Sequence, residues 1–133
     1  MISLPVTALY AGLMGLWLLG LGFEVMRRRR RHDVSVGDGG VRALELAMRA
    51  HGNACEYVPI ALILLALAEG MGAPGGVLHL FGLMLVAGRL IHGGYFLAGA
   101  RRLNLRILGM LLTVGMIGMV ALGLVFHALA RIG

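Results

Sequence analysis

Long apolar stretches dominate this chain, broken by short clusters of arginine. No charged residue occurs in residues 1–23, 70–88 or 107–130. Each stretch meets the roughly 18–20 residues a helix needs to cross about 30 Å of hydrocarbon. Lipid leaves backbone polar groups no water to bond, so helices are the natural spanning element. No strand-length window alternates polar and apolar positions as the wall of a membrane barrel would. A fourth apolar stretch, residues 44–68, carries Glu45, Arg49, His51, Asn53 and Glu56. Residues 57–68 are uncharged and the polar side chains keep to one face, so it too reads as a membrane helix. A cytoplasmic amphipathic helix is the competing reading.

The pattern predicts an all-α integral membrane four-helix bundle, one domain over residues 1–133, with helices at about 2–26, 41–69, 77–99 and 104–132. Between the first two lies a polar loop holding Arg27 to Arg31 and the turn-forming run 36–40. Pro74 and its neighbouring glycines break the chain at 70–76, and Arg101 and Arg102 mark a second basic loop. The first helix has neither a basic leader nor a small-residue cleavage site, so it reads as retained in the membrane.

Composition agrees: 59% of residues are apolar and 14% charged, against about a quarter charged in a soluble domain. The net charge of +6 is distributed asymmetrically. Arg27–Arg31 and Arg42 flank one loop, Arg101, Arg102 and Arg106 the other, and the 70–76 turn carries none. Basic loops stay in the cytoplasm, which predicts both Arg-rich loops inside and both termini outside. Arginines beside a span contact anionic lipid heads, so the charge does not argue for nucleic acid. A single cysteine, Cys55, excludes an intrachain disulfide and a cysteine-based metal cluster, and its apolar helix predicts a buried, unreactive thiol.

The second helix carries the chemistry. Glu45, Arg49, Asn53, Glu56 and Ile60 fall within about 80° of one another, one stripe along the helix. An ionisable side chain at the bilayer centre costs about 2.5–3.5 kcal/mol on insertion scales, so the stripe must face protein or water. Glu45 and Arg49 have the spacing of an i,i+4 pair. On the third helix Arg89 and His92 are one turn apart, and Tyr95 follows. At about 1.5 Å per residue, Arg89 lies about 18 Å from Arg101 and Glu56 about 21 Å from Arg42. The matching depths predict a buried Arg89–Glu56 pair, and those of His92 and Asn53 match likewise. Two readings fit: structural ion pairs joining helices, or a cytosol-facing pocket for a charged ligand. Small residues at Ala8, Gly12 and Gly15, and at Ala50 and Ala54, supply faces for close helix packing.

The run Arg49-Ala-His-Gly-Asn53-Ala-Cys-Glu56-Tyr57-Val-Pro59 resembles the second-helix signature of the MAPEG family, membrane-associated proteins of eicosanoid and glutathione metabolism. Arg89-x-x-His92, Tyr95 and the Asn-Leu-Arg106 element are similar to that family's third helix and following loop. The resemblance covers essentially the whole chain. It implies a homotrimer with glutathione as co-substrate, bound between subunits near the cytosolic side. It also implies addition of glutathione to lipophilic electrophiles, or reduction of lipid hydroperoxides. By position Arg49, Asn53, Glu56 and Tyr57 would hold the tripeptide, aided by Tyr95. Arg89 and His92 join this binding set on their depth, and Arg106 would stabilise the thiolate. Arg28, or Arg27 beside it, would match the helix-one arginine of leukotriene C synthase. That enzyme has a second tyrosine where Gly99 stands here, so one ligand contact is missing or supplied otherwise.

Two other functions compete. A non-catalytic lipid-binding protein of the same family would share every feature above. A small multidrug exporter would need a mid-membrane carboxylate such as Glu56, but Arg89 at similar depth would oppose a cationic cargo. Twelve basic residues that are all arginine point to a GC-rich bacterial genome and so to a bacterial inner membrane, with lipid and a lipophilic substrate as partners.

Overall fold

The computed structural model describes residues 3–133. Four helices account for nearly all of it: α1 (Pro5–Arg31), α2 (Arg42–Gly70), α3 (Gly75–Leu97) and α4 (Leu103–Ile132). All four are long and apolar enough to cross a membrane, and the shortest, at 23 residues, spans about 35 Å. The protein is therefore an all-α, four-helix membrane bundle. The first two residues of the expected first helix, Met1 and Ile2, lie outside the described residues. At its other end α1 continues through Arg31, past the expected stop near residue 26. Arginine is a strong helix former, and four cations in the last turn favour the negative end of the helix dipole.

The α2–α3 hairpin forms the middle of the bundle. Both helices touch α1 and α4, while α1 and α4 do not touch each other. The tight turn at Gly72 needs φ +86°, a conformation glycine adopts freely. Glu69, near the end of α2, replaces a side-chain N-cap on α1: its carboxylate accepts the backbone N–H groups of Val6 (2.9 Å) and Thr7 (2.7 Å). These first-turn donors have no partner within their own helix, and the anion also suits the positive end of the dipole.

Inside, Met14, Leu21, Leu44, Val58, Leu65, Leu85 and Met116 are almost wholly buried. Leu16, Leu83, Leu111, Phe126 and many other large apolar residues point outward, as lipid-facing surfaces do. The small residues divide by face. Ala50 and Ala54 are buried, whereas a Cβ added at Gly12 or Gly15 would meet nothing within 4 Å, so the α1 stripe packs on no helix of its own chain. Cys55 is exposed, with its sulfur 3.7 Å from the His51 ring, contrary to the expected buried thiol. Ala54, Val58 and Ala61 form the inward face of α2, and Cys55 sits about 100° round from Ala54.

The closest helix approach lies between α3 and α4. A Cβ at Gly109 would stand 2.8 Å from the carbonyl oxygen of Gly88 and 2.8 Å from the backbone nitrogen of His92. Backbone atoms cannot swing aside as a flexible side chain can. Gly109→Ala is therefore expected to destabilise the detergent-solubilised protein by about 1–3 kcal/mol, the usual range for overpacking. Gly118→Ala, where the added methyl meets open space, should match or exceed wild type through its better helix propensity. Thermal unfolding of the two variants side by side tests this; equal midpoints would show that the α3–α4 contact is not tight.

Candidate functional site

The site is built around Arg89, only 2% exposed in the middle of α3. Its Nε donates to the Thr113 hydroxyl at 2.9 Å and one terminal nitrogen donates to the Asn53 side-chain oxygen at 2.7 Å. The other reaches the Gly109 carbonyl at 3.5 Å and the Met110 sulfur at 3.4 Å. The guanidinium also lies 5.5 Å from the centre of the Tyr57 ring. One cation thus ties α2, α3 and α4 together through neutral acceptors. Thr113 hands its own proton to the Gly109 carbonyl at 3.0 Å, leaving its oxygen lone pairs to accept from Arg89.

The expected Arg89–Glu56 pair does not form. Among the described residues no carboxylate lies within ion-pair distance of Arg89, and Glu56 is exposed. Counting along a helix gives depth but not direction. Glu56 is about 60° round α2 from Asn53, enough to turn it away from α3 while Asn53 meets the guanidinium. The other expected pair is present: Arg49 donates to Glu45 at 2.9 Å, and Glu45 also takes Arg42 at 2.7 Å.

Beside this node lies a cavity of about 370 Å³ between α2 and α4, floored by α3. Arg49, Gly52, Asn53, Glu56 and Tyr57 line it from α2, His92 and Phe96 from α3, and Arg106 and Met110 from α4. Arg49, Glu56 and Arg106 are exposed at its edge, so it opens sideways out of the bundle. His92 is buried at its base, edge-on to Phe96 with ring centres 5.2 Å apart. Its Nε2 has no hydrogen-bond partner among the described residues. The Arg106 guanidinium lies 5.8 Å from the centre of the Phe96 ring, which holds a long side chain over the cavity.

Of the nine residues singled out in the sequence, Arg49, Asn53, Glu56, Tyr57, His92 and Arg106 therefore line one cavity. Arg89 stands behind its wall, holding Asn53 and Tyr57 rather than reaching in. Tyr95 packs on Phe96 and faces a neighbouring cavity with Arg101, Arg102 and Leu105. Arg28 belongs to a third cavity at the Arg-rich end, where it binds Glu24 at 2.6 Å and the Ala43 carbonyl. Sequence reasoning missed Phe96 and Met110, each one turn beyond a recognised residue (His92 and Arg106), and the i,i+4 rule offers them as neighbours. Gly109 and Thr113 carry no comparable signal, since glycine and threonine are ordinary in membrane helices.

The cavity presents guanidinium, amide, carboxylate, phenol and imidazole groups within one small volume. It can grip a small zwitterion or dianion by complementary charge, with one arginine left over to stabilise an anion.

The MAPEG family model matches residues 7–126, nearly the whole chain. The inner membrane protein YecN of Escherichia coli strain K12 is 47% identical over 87 residues, which cover 65% of this chain and 66% of that protein. YecN of the O6:H1 strain CFT073 matches to the same extent. The chain thus spans slightly under two thirds of these relatives' length.

Thr113→Val keeps the shape of the side chain and deletes the acceptor for Arg89 Nε. A buried charged donor left without its partner should cost about 1–3 kcal/mol, and Thr113→Ser should restore most of it. Unfolding of detergent-solubilised variants measures both; a Val variant as stable as wild type would remove Thr113 from the node.

Proposed function

Because the chain belongs to the MAPEG family, we propose that it is a glutathione-dependent transferase or peroxidase of the bacterial inner membrane, acting on lipophilic substrates. The observation that carries this reading is the convergence of Arg49, Asn53, Glu56, Tyr57 and Arg106 on one cavity. Glutathione has two carboxylates, an α-amino group, amides and a thiol. Arg49 suits a carboxylate, Glu56 the ammonium, and Asn53 and Tyr57 the peptide polar groups. Arg106, free of any ion pair among the described residues, is left for the sulfur.

When bound, glutathione would supply a nucleophilic sulfur. A thiol near pKa 8.5 is mostly protonated at neutral pH, and a neighbouring guanidinium favours the thiolate. Arginine suits this task because it keeps its charge when partly desolvated. The sideways opening supports two further parts of the proposal. A lipophilic substrate can arrive from the bilayer and need only be held near the sulfur. A neighbouring subunit can close the open side, as in a homotrimer with the tripeptide between subunits. The exposed small stripe of α1 offers one surface for such contact. Arg28 and Tyr95, outside this cavity in one chain, would join it only across such an interface. Both Arg-rich connections lie at the same end of the bundle, which we take as cytoplasmic by the positive-inside rule.

Arg106→Ala should raise the pKa of the bound thiol by about 1–3 units, toward its solution value. Thiolate absorbance at neutral pH then falls at least about tenfold, and rate is recovered as pH rises. Glutathione affinity should fall less than turnover, because the carboxylate contacts remain. An unchanged thiolate signal and pH–rate profile in an active enzyme would sink the assignment of Arg106. Arg49→Ala, by contrast, should weaken glutathione binding by about tenfold or more, the loss of one charge-assisted bond, while the oligomer stays intact. Glutathione that binds but is never conjugated to lipophilic electrophiles would instead favour a lipid-binding protein.

Orientation has its own test. A reporter fused after Gly133 should be active only if it works outside the cytoplasm; cytoplasmic activity would overturn the orientation and with it a cytosol-facing site.

A further inference from the structure

At the Arg-rich end, a separate cavity of about 550 Å³ lies between the end of α1, the start of α2 and the end of α3. Arg27, Arg28, Arg31, Arg42 and Arg101 surround it. Glu24 binds Arg27 at 2.8 Å and Arg28 at 2.6 Å, while Glu45 binds Arg42 at 2.7 Å and is shared with Arg49. Arg31 and Arg101 have no carboxylate in ion-pair reach among the described residues. Five guanidiniums against two carboxylates leave a formal surplus of three positive charges around one concavity. Its floor is apolar, formed in part by Leu46 and Phe96, and a concavity with low-dielectric walls concentrates the field of such charges.

We propose that this basin binds a multiply charged phosphate group, carried either by an anionic phospholipid head or by a soluble phosphate compound. A single negative charge would offset only part of the surplus, whereas two phosphates, or one dianionic phosphate, offset most of it. Arginines fork onto phosphate oxygens with matched geometry. Basic pockets between membrane helices on the cytoplasmic side are suited to diphosphate lipid heads. The volume falls within the range of about 300–1,000 Å³ usual for small-ligand sites, and the apolar floor accepts the carbon portion of such a ligand. The basin is distinct from the α2–α4 cavity, with which it shares Phe96 alone, so the proposal does not rest on glutathione chemistry.

The test uses delipidated full-length protein in a non-ionic detergent. Calorimetry with inorganic pyrophosphate reads the soluble source. Native mass spectrometry after exposure to diphosphatidylglycerol, compared with phosphatidylcholine, reads the lipid source. Retention of diphosphatidylglycerol alone supports the basin as a lipid site, and pyrophosphate binding supports a soluble ligand. In either case R31Q/R101Q should weaken binding about 30-fold, at about fivefold per guanidinium. The control R30Q/R102Q, at two arginines outside the basin, should change it less than twofold. The single variant R101Q lies in the α3–α4 connection and leaves every helix intact, so its expected fivefold loss reads the site even if the double variant fails to fold. Three results would each overturn the proposal: neither probe binding, the control weakening binding as much as R31Q/R101Q, or glutathione displacing pyrophosphate one for one.

Discussion

A cation buried without a carboxylate governs this bundle. Taking a guanidinium out of water costs several kcal/mol even after relaxation, and Arg89 recovers that cost through neutral acceptors alone: the Asn53 amide, the Thr113 hydroxyl, the Gly109 carbonyl and the Met110 sulfur. Those acceptors come from α2 and α4, so both helices must stand at fixed distance and rotation from α3. The contact of Gly88 with Gly109 makes this possible, because any side chain there would push α4 away from the guanidinium.

The same node shapes the cavity. Asn53 and Tyr57 line its wall while being held from behind by Arg89, one through a hydrogen bond and one through its ring face. Their positions follow from the core rather than from a ligand. Groups fixed before a ligand arrives need lose little freedom on binding it, which favours tight and specific recognition. The surplus charge of Arg89 also remains behind the cavity, since no carboxylate cancels it, and adds to the attraction for an anion. At the opposite end the Glu69 carboxylate joins the end of α2 to the start of α1. The bundle is thus tied by one buried cation near its middle and one anion near its outer end. The apolar contacts between them are numerous but have little directional preference.

Charge is sorted along the bundle. The Arg-rich end carries a basin with surplus positive charge, the middle a mixed-charge cavity, and the far end the Glu69 cap, with apolar side chains around the outside. Such sorting lets a single small chain offer different chemistry at different depths of the membrane. Phe96 stands where the basin and the cavity meet.

The four spans, the all-helical fold and the level at which polar groups gather were legible in the sequence, because hydrocarbon thickness dictates helix length and the cost of a charge in lipid dictates where it can sit. The stripe Arg49, Asn53, Glu56 and its partner Tyr57 were legible for the same reason: helical periodicity sets which residues share a face. Tertiary structure alone decided which neighbour each polar group meets. Arg89 and Glu56 match in depth yet point apart, since direction around a helix depends on how it is rotated against its neighbours. Cys55 faces outward, Arg28 turns to Glu24, and Tyr95 turns from the main cavity for that reason. Gly109 and Thr113, which hold the central cation, read in the sequence as ordinary membrane-helix residues. Their role arises only where two backbones come close enough for a carbonyl and a hydroxyl to reach across.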